Sequence, residues 1–187
     1  MKRIIFYFVI MLVTFNMSAQ VSVGSYVKFP DNGLAGGLYK PQLGFSVVNN
    51  KVYLTLWYND KQGYASFDNN SRILLKINDE ENIKLPYNKE IGVIKDYELW
   101  SKMGAEPTPC YYTYSSYDIS EEAIDKILDE GNLITKIRVV FANGDITDYD
   151  IKKNYRSKLA SGLRTSYNEA LKENKKRIKA ITSDDDF

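Results

Sequence analysis

Hydrophobic and polar positions change their period several times along this chain. From Phe45 the period is two: Val52, Leu54, Leu56 and Tyr58 recur on one side of an extended segment, with Tyr53, Thr55 and Trp57 on the other. Asn49-Asn50 and the polar cluster at 59–63 bracket that strand as turns. A short strand is expected at Tyr64–Phe67, and Asp68-Asn69-Asn70 then turns the chain into Arg72–Ile77, where Ile73, Leu75 and Ile77 alternate with Arg72 and Lys76. Polar residues at 78–82 reverse it into Ile83–Leu85, and Pro86 cannot donate to a ladder. The pattern is an antiparallel meander. Residues 87–100 fit strand or short helix over Ile91–Ile94 and Tyr97–Trp100. Gly104, Pro107 and Pro109 mark a loop, and Cys110–Tyr117 reads as a strand with tyrosine on both faces.

The period then moves towards 3.6. Ser120 precedes Glu121 and Glu122, which suit the positive end of a helix, and Ile119 is placed to staple onto Ile124. Ile124, Ile127 and Leu128 form the buried stripe, and Gly131 is the expected C′ residue. Leu133–Phe141 and Asp145–Ile151 predict a hairpin around Asn143-Gly144. A long helix is expected from Asn154 to Ala180, with Tyr155, Leu159, Leu163, Tyr167 and Leu171 on its apolar stripe. Gly162 weakens its middle by about 1 kcal/mol relative to alanine and marks a candidate kink. Arg72–Tyr87 and Lys136–Ile151 repeat one strand–turn–strand pattern. The expected fold is α+β: a curved antiparallel sheet of roughly six to eight strands, one short helix and a long C-terminal helix packed on one face.

The two ends divide the chain. Lys2 and Arg3, the apolar run Ile4–Phe15 and the small residues Ser18-Ala19 before Gln20 have the layout of a secretory signal peptide over residues 1–19. Residues 20–44, rich in glycine and proline, read as an irregular N-terminal arm, with a short strand possible within Val21–Phe29. Residues 45–182 read as a single α+β domain and 183–187 as a frayed acidic tail. The Gly33–Gly37 run lacks the spacing and following helix of a phosphate loop. The reading is an exported soluble protein, periplasmic or secreted. It is not a lipoprotein, because the only cysteine is Cys110, far from the cleavage point.

Composition narrows the chemistry. Without the leader the chain has 168 residues and a net charge of −1, so no electrostatic case for nucleic acid or an anionic membrane remains. A single cysteine permits no internal disulfide, and Cys110 is expected to be a buried small apolar residue. The sequence contains no histidine, which removes Ser-His-Asp and Cys-His activation and His-ligated zinc.

The remaining motifs are weak. Ser25–Lys28 matches S-x-x-K but has neither a helix beneath it nor its partner motifs downstream. Asp145, Asp148 and Asp150, with Asn143, supply hard oxygen ligands, yet their spacing is not that of a calcium loop. Lys172, Lys175, Lys176, Arg177 and Lys179 read as a solvated helical face, with Glu169 placed to reach Lys172 and Glu173 to reach Lys176 and Arg177. No catalytic, cofactor-binding or metal-ligating residue is assigned.

The aromatics carry the one functional signal. Tyr53, Trp57, Tyr112 and Tyr114 are the candidate binding residues, since flat rings with polar tips grip peptides and sugars. Against this stands the expectation that Tyr155, Leu159, Leu163 and Tyr167 of the closing helix pack on Trp57 and make the rings core. The function expected is a non-enzymatic binding or interaction module for a peptide, protein or glycan. The alternative is a carboxylate-based hydrolase of extracellular glycans, which needs two carboxyls about 5–10 Å apart across a cleft.

The stretch Ser71-Arg72-Ile73-Leu74-Leu75-Lys76-Ile77, the run Ile119-Ser120-Glu121-Glu122 to Ile134-Thr135-Lys136-Ile137-Arg138, and the ending Ser18-Ala19-Gln20 resemble small exported single-domain proteins of Bacteroidota. The resemblance covers about half of the mature chain and implies a source and a compartment. It supplies no site residues.

Overall fold

The structure, a computed structural model, describes residues 21–29, 41–60, 62–100 and 106–184. The expected leader at residues 1–19, the Gly33–Gly37 run and the last three residues lie outside them. In chain order the elements are β1 (Val21–Val23), β2 (Val27–Lys28), β3 (Gln42–Val48), β4 (Lys51–Asp60), β5 (Arg72–Ile77), β6 (Glu81–Pro86), β7 (Val93–Trp100), β8 (Thr108–Asp118), α1 (Glu121–Leu128), β9 (Ile134–Val140), β10 (Ile146–Asp150) and α2 (Lys153–Asp184). The fold is α+β. Sheet A runs β1-β3-β4-β8-β7, with β2 also on the edge of β3, and sheet B runs β10-β9-β5-β6. A single bridge between Tyr87 and Tyr117 links the two ladders into one curled antiparallel surface.

Turn chemistry sets the registers. Asn49 and Asn50 both take positive φ (49° and 65°), the conformation a two-residue hairpin needs, and place Val48 opposite Lys51. The two hairpins of sheet B share one register at an offset of 64 residues: Leu75 faces Ile83 in one and Val139 faces Thr147 in the other.

Alternation then sorts the faces of sheet A. Leu43, Phe45 and Val47 of β3 stand beside Leu56, Leu54 and Val52 of β4. This aliphatic face joins Ile73, Leu75, Ile137 and Val139 of sheet B, Ile127 of α1 and Leu159 and Leu163 of α2 in one buried core. Helix α2 lies along β1, β2 and β3, with the Tyr167 ring 5.4 Å from that of Phe45. It therefore covers the aliphatic side and not Trp57. The expected packing of its stripe on Trp57 is corrected: the helix follows the uniformly aliphatic face, where its leucines remove more surface from water.

Other expectations shift for local reasons. Residues 64–67 form no strand, because Ala65 N–H donates to Thr113 Oγ1 and the Ser66 carbonyl accepts from Ala142 N–H in place of ladder partners. Residues 93–100 are one strand, and β8 starts at Thr108 despite Pro109, since β4 pairs with β8 only as far as Tyr111. Strand β3 starts at Gln42, and the described part of the arm supplies β1 and β2. Ser120 caps α1 as expected, accepting from Ala123 N–H, but the helix ends at Asp129 without a left-handed glycine. The Asp129 carboxylate instead accepts from Gly131 N–H. Helix α2 continues through Gly162 and on to Asp184, into the segment expected to fray.

Candidate functional site

The face of sheet A that α2 leaves uncovered carries Trp57, Thr55 and Tyr53 on β4. Tyr114 lies directly opposite Trp57 on β8, and Ser116 opposite Thr55. Four rings form a cluster there. Trp57 stacks on Tyr114 at 5.4 Å between centroids and 21° between planes, and meets Tyr112 at 5.5 Å and Tyr26 at 5.5 Å. Tyr26 comes from the segment between β1 and β2. It falls in the stretch expected to be an irregular arm with at most a short strand, so it was not among the candidate residues.

Of the four candidate residues, the structure brings Trp57, Tyr112 and Tyr114 into this cluster. Tyr53 stands apart on the same face, buried, with the Lys51 ammonium 5.1 Å from its ring centre. Lys51 in turn pairs with Asp118 at 2.9 Å. Burial and the neighbouring Tyr114 push the Tyr26 hydroxyl above its ordinary pKa. Burial, then Asp96 and Glu98, raise that of Tyr114. Both stay neutral hydroxyls at ordinary pH. The Tyr112 hydroxyl donates to Glu98 at 2.9 Å. The Trp57 Nε1–H is buried and finds no acceptor among the described residues.

Beside the rings lies a cavity of about 350 Å³. Its floor is Ser46, Thr55 and Ser116, one residue from each of the three central strands. Val21, Val23 and Val48 wall one side, Ile91 and Ile94 the other, and Tyr26 and Tyr114 close one end. Both edge strands, β1 and β7, thus contribute to one cavity although three strands separate them. At about 4.8 Å per strand interval a flat sheet would hold those edges roughly 19 Å apart. Sheet A is not flat there, and the groove runs across its uncovered face from one edge to the other. Ile94 is 60% exposed and Val23 43%, so the groove rim offers apolar surface to solvent.

A second cavity, about 300 Å³, is lined by Asp60, Asp145, Tyr58, Tyr64 and Thr147. Its two carboxylates serve as acceptors within their own turns: Asp60 from Gln62 N–H at 2.9 Å and Asp145 from the Asn143 amide at 2.6 Å. The carboxyls whose pKa is displaced all move down. Asp148 falls to about 2 through the Arg138 fork, against burial. Asp118 falls because Lys51 and Asn88 outweigh its burial, and Glu169 falls through Ser25. None of these three has the raised pKa of a general acid.

The remaining motifs resolve into structure. Ser25 donates its hydroxyl to Glu169 and not to Lys28. Asp148 is held by Arg138 at 2.6 and 2.7 Å and by Lys136 at 3.1 Å. Among the described residues, no group of three His, Cys, Asp or Glu side chains is placed to hold a metal ion. Lys176 pairs with Glu173 at 2.6 Å, and Glu169 accepts from Ser25, with Lys172 near enough to add to the lowering of its pKa. Cys110 is a free, buried thiol. Comparison of the chain with protein-family profiles, with curated proteins and with solved structures finds no match.

Proposed function

We propose that this protein is an exported, non-enzymatic binding module that takes its ligand on the grooved face of sheet A that α2 leaves uncovered. The observation that carries the reading is the position of α2. The helix packs on β1–β3 from the aliphatic side, so the Trp57 cluster and the adjoining groove face outward from the core. Aromatic side chains that stay partly accessible beside an apolar recess are where binding energy concentrates. Export rests on Lys2-Arg3, the apolar run to Phe15 and Ser18-Ala19. Among the described residues no helix is long and apolar enough to cross a membrane.

The test is a parallel screen of glycans, peptides and single-chain lipids with the unmodified protein and a Trp57→Ala variant. The expected result is one ligand class whose binding falls at least tenfold in the variant. Binding that Trp57→Ala leaves intact overturns the placement. Turnover of a screened glycan, lost on replacing Asp60 or Asp145, revives the hydrolase alternative. Export is tested by mass spectrometry of the protein recovered outside the cytoplasm. A mature N-terminus near Gln20 is expected, and an intact Met1 contradicts it.

A further inference from the structure

We infer that the groove on sheet A is a site for a single unbranched aliphatic chain, the tail of a free medium-chain fatty acid. This rests on the reading of the uncovered face of sheet A as the binding surface and names the ligand class. The walls are Val21, Val23, Val48, Ile91 and Ile94, which present only carbon. Of the three floor hydroxyls, Ser46 and Thr55 bond to each other at 2.8 Å, which leaves one O–H of that pair and the Ser116 hydroxyl as the few polar groups of the floor. A glycan or an extended peptide brings one polar group every few ångströms, and this recess leaves most of them unpaired, at a cost in affinity for each. An alkyl chain brings none.

Size points the same way. The volume, about 350 Å³, sits at the low end of small-molecule pockets. It holds roughly a dozen groups of about 30 Å³, the share of one water, which roughly ten to twelve methylenes would fill. The groove is also open along its length, because Ile94 and Val23 line it and remain exposed. That suits a chain laid in from the side with its head left in water. At the far end from Tyr26 and Tyr114, Val48 is the cross-strand partner of Lys51, whose exposed ammonium pairs with Asp118 at 2.9 Å and has to be shared with, or released from, that carboxylate to hold the fatty-acid head.

The experiment uses the full chain carrying Trp100→Phe. The sequence contains two tryptophans, so Trp57, against Tyr26 and Tyr114 of the groove end, becomes the sole tryptophan reporter. Titration with hexanoate, octanoate, decanoate, dodecanoate and hexadecanoate should shift its emission. Affinity should rise about fourfold per added methylene, the equivalent of the transfer free energy of one buried CH₂, and level off near dodecanoate. Ile94→Glu should weaken dodecanoate binding at least tenfold. Ile146→Glu, a comparably exposed isoleucine on sheet B, should leave it unchanged.

Dodecyl maltoside separates tail from head: binding equal to dodecanoate keeps the chain site and removes the role of Lys51. Binding only to phospholipid vesicles, and to no monomeric chain, overturns the inference. So does an affinity independent of chain length, or equal loss in both isoleucine variants. If alkyl chains fail while a glycan or peptide shifts Trp57 and Ile94→Glu abolishes it, the lipid inference falls and the binding face stands. If no ligand class responds to Trp57→Ala or Ile94→Glu, both fall.

Discussion

The Ser166 hydroxyl lies 2.8 Å from the backbone nitrogen of Phe45 and accepts its N–H. A helix side chain thereby fills a hole in a strand ladder. Beside Phe45 the edge is broken between β1 and β2. Gly24 N–H still reaches the Phe45 carbonyl at 2.9 Å, but no backbone acceptor comes back to the Phe45 N–H. Ser166→Ala strands a fully buried donor and is expected to cost about 1–3 kcal/mol in urea unfolding. A loss under about 0.5 kcal/mol means that the gap closes in some other way.

Gly162 shows how close that helix approaches. A methyl group there would come within 2.7 Å of Val27 Cγ2. Glycine to alanine in a helix interior ordinarily gains about 0.5–1 kcal/mol. Here Gly162→Ala is expected to reverse sign and lose about 1–3 kcal/mol through overpacking against β2. A stabilised variant would contradict this account of the helix–strand contact.

Trp57 and Phe45 are two large rings on opposite faces of sheet A, and their truncations should separate. Phe45 is fully buried against Tyr167, so Phe45→Ala should cost about 3–5 kcal/mol. Trp57 is half-buried and touches three other rings. Trp57→Ala should cost about 1–3 kcal/mol while its effect on ligand affinity is the larger one. Equal thermodynamic losses at the two sites would make Trp57 a core residue.

Asp148 sets an acid dependence whose sign is fixed. The Arg138 fork lowers its folded pKa to about 2, below the unfolded value of about 3.9. The resulting stabilisation is present above about pH 4 and fades as pH falls towards 2. Asp148→Asn should therefore melt below the unmodified protein at pH 6, and the gap should close between about pH 4 and 2. Because the pair lies at the surface, 1 M salt should shrink the gap at pH 6 as well. A difference that persists at pH 2 would show that packing, and not charge, is at work.

Much of the fold was legible in residue order, because period and turn chemistry are local. Ser120 as N-cap, the turn at Asn143-Gly144 and the alternation of Ile73, Leu75 and Ile77 all carry their own signals, and the structure uses each of them. The placement of α2 was not legible. Val52, Leu54 and Leu56 are the more uniformly aliphatic face of β4 in sequence, but Tyr53, Thr55 and Trp57 also offer apolar surface, and residue order does not say which of the two faces a distant helix meets. The site was legible in part, since Trp57, Tyr112 and Tyr114 stand out as aromatics on strands. Tyr26 did not, because its role comes from the break between β1 and β2. The groove was not legible either: that Val23 and Ile94, from opposite edges of sheet A, line one cavity depends on the shape of the whole sheet.

The central claim is that the grooved face of sheet A, turned away from α2, is where this protein binds. Amide chemical-shift mapping of the labelled protein, titrated with the ligand that emerges from the binding screen, tests it most directly. The account predicts the largest shifts at Val23, Tyr26, Thr55, Ile94, Tyr114 and Ser116, which line the groove together. Shifts confined to β5, β6, β9 and β10, or to the lysine-bearing end of α2, would contradict it.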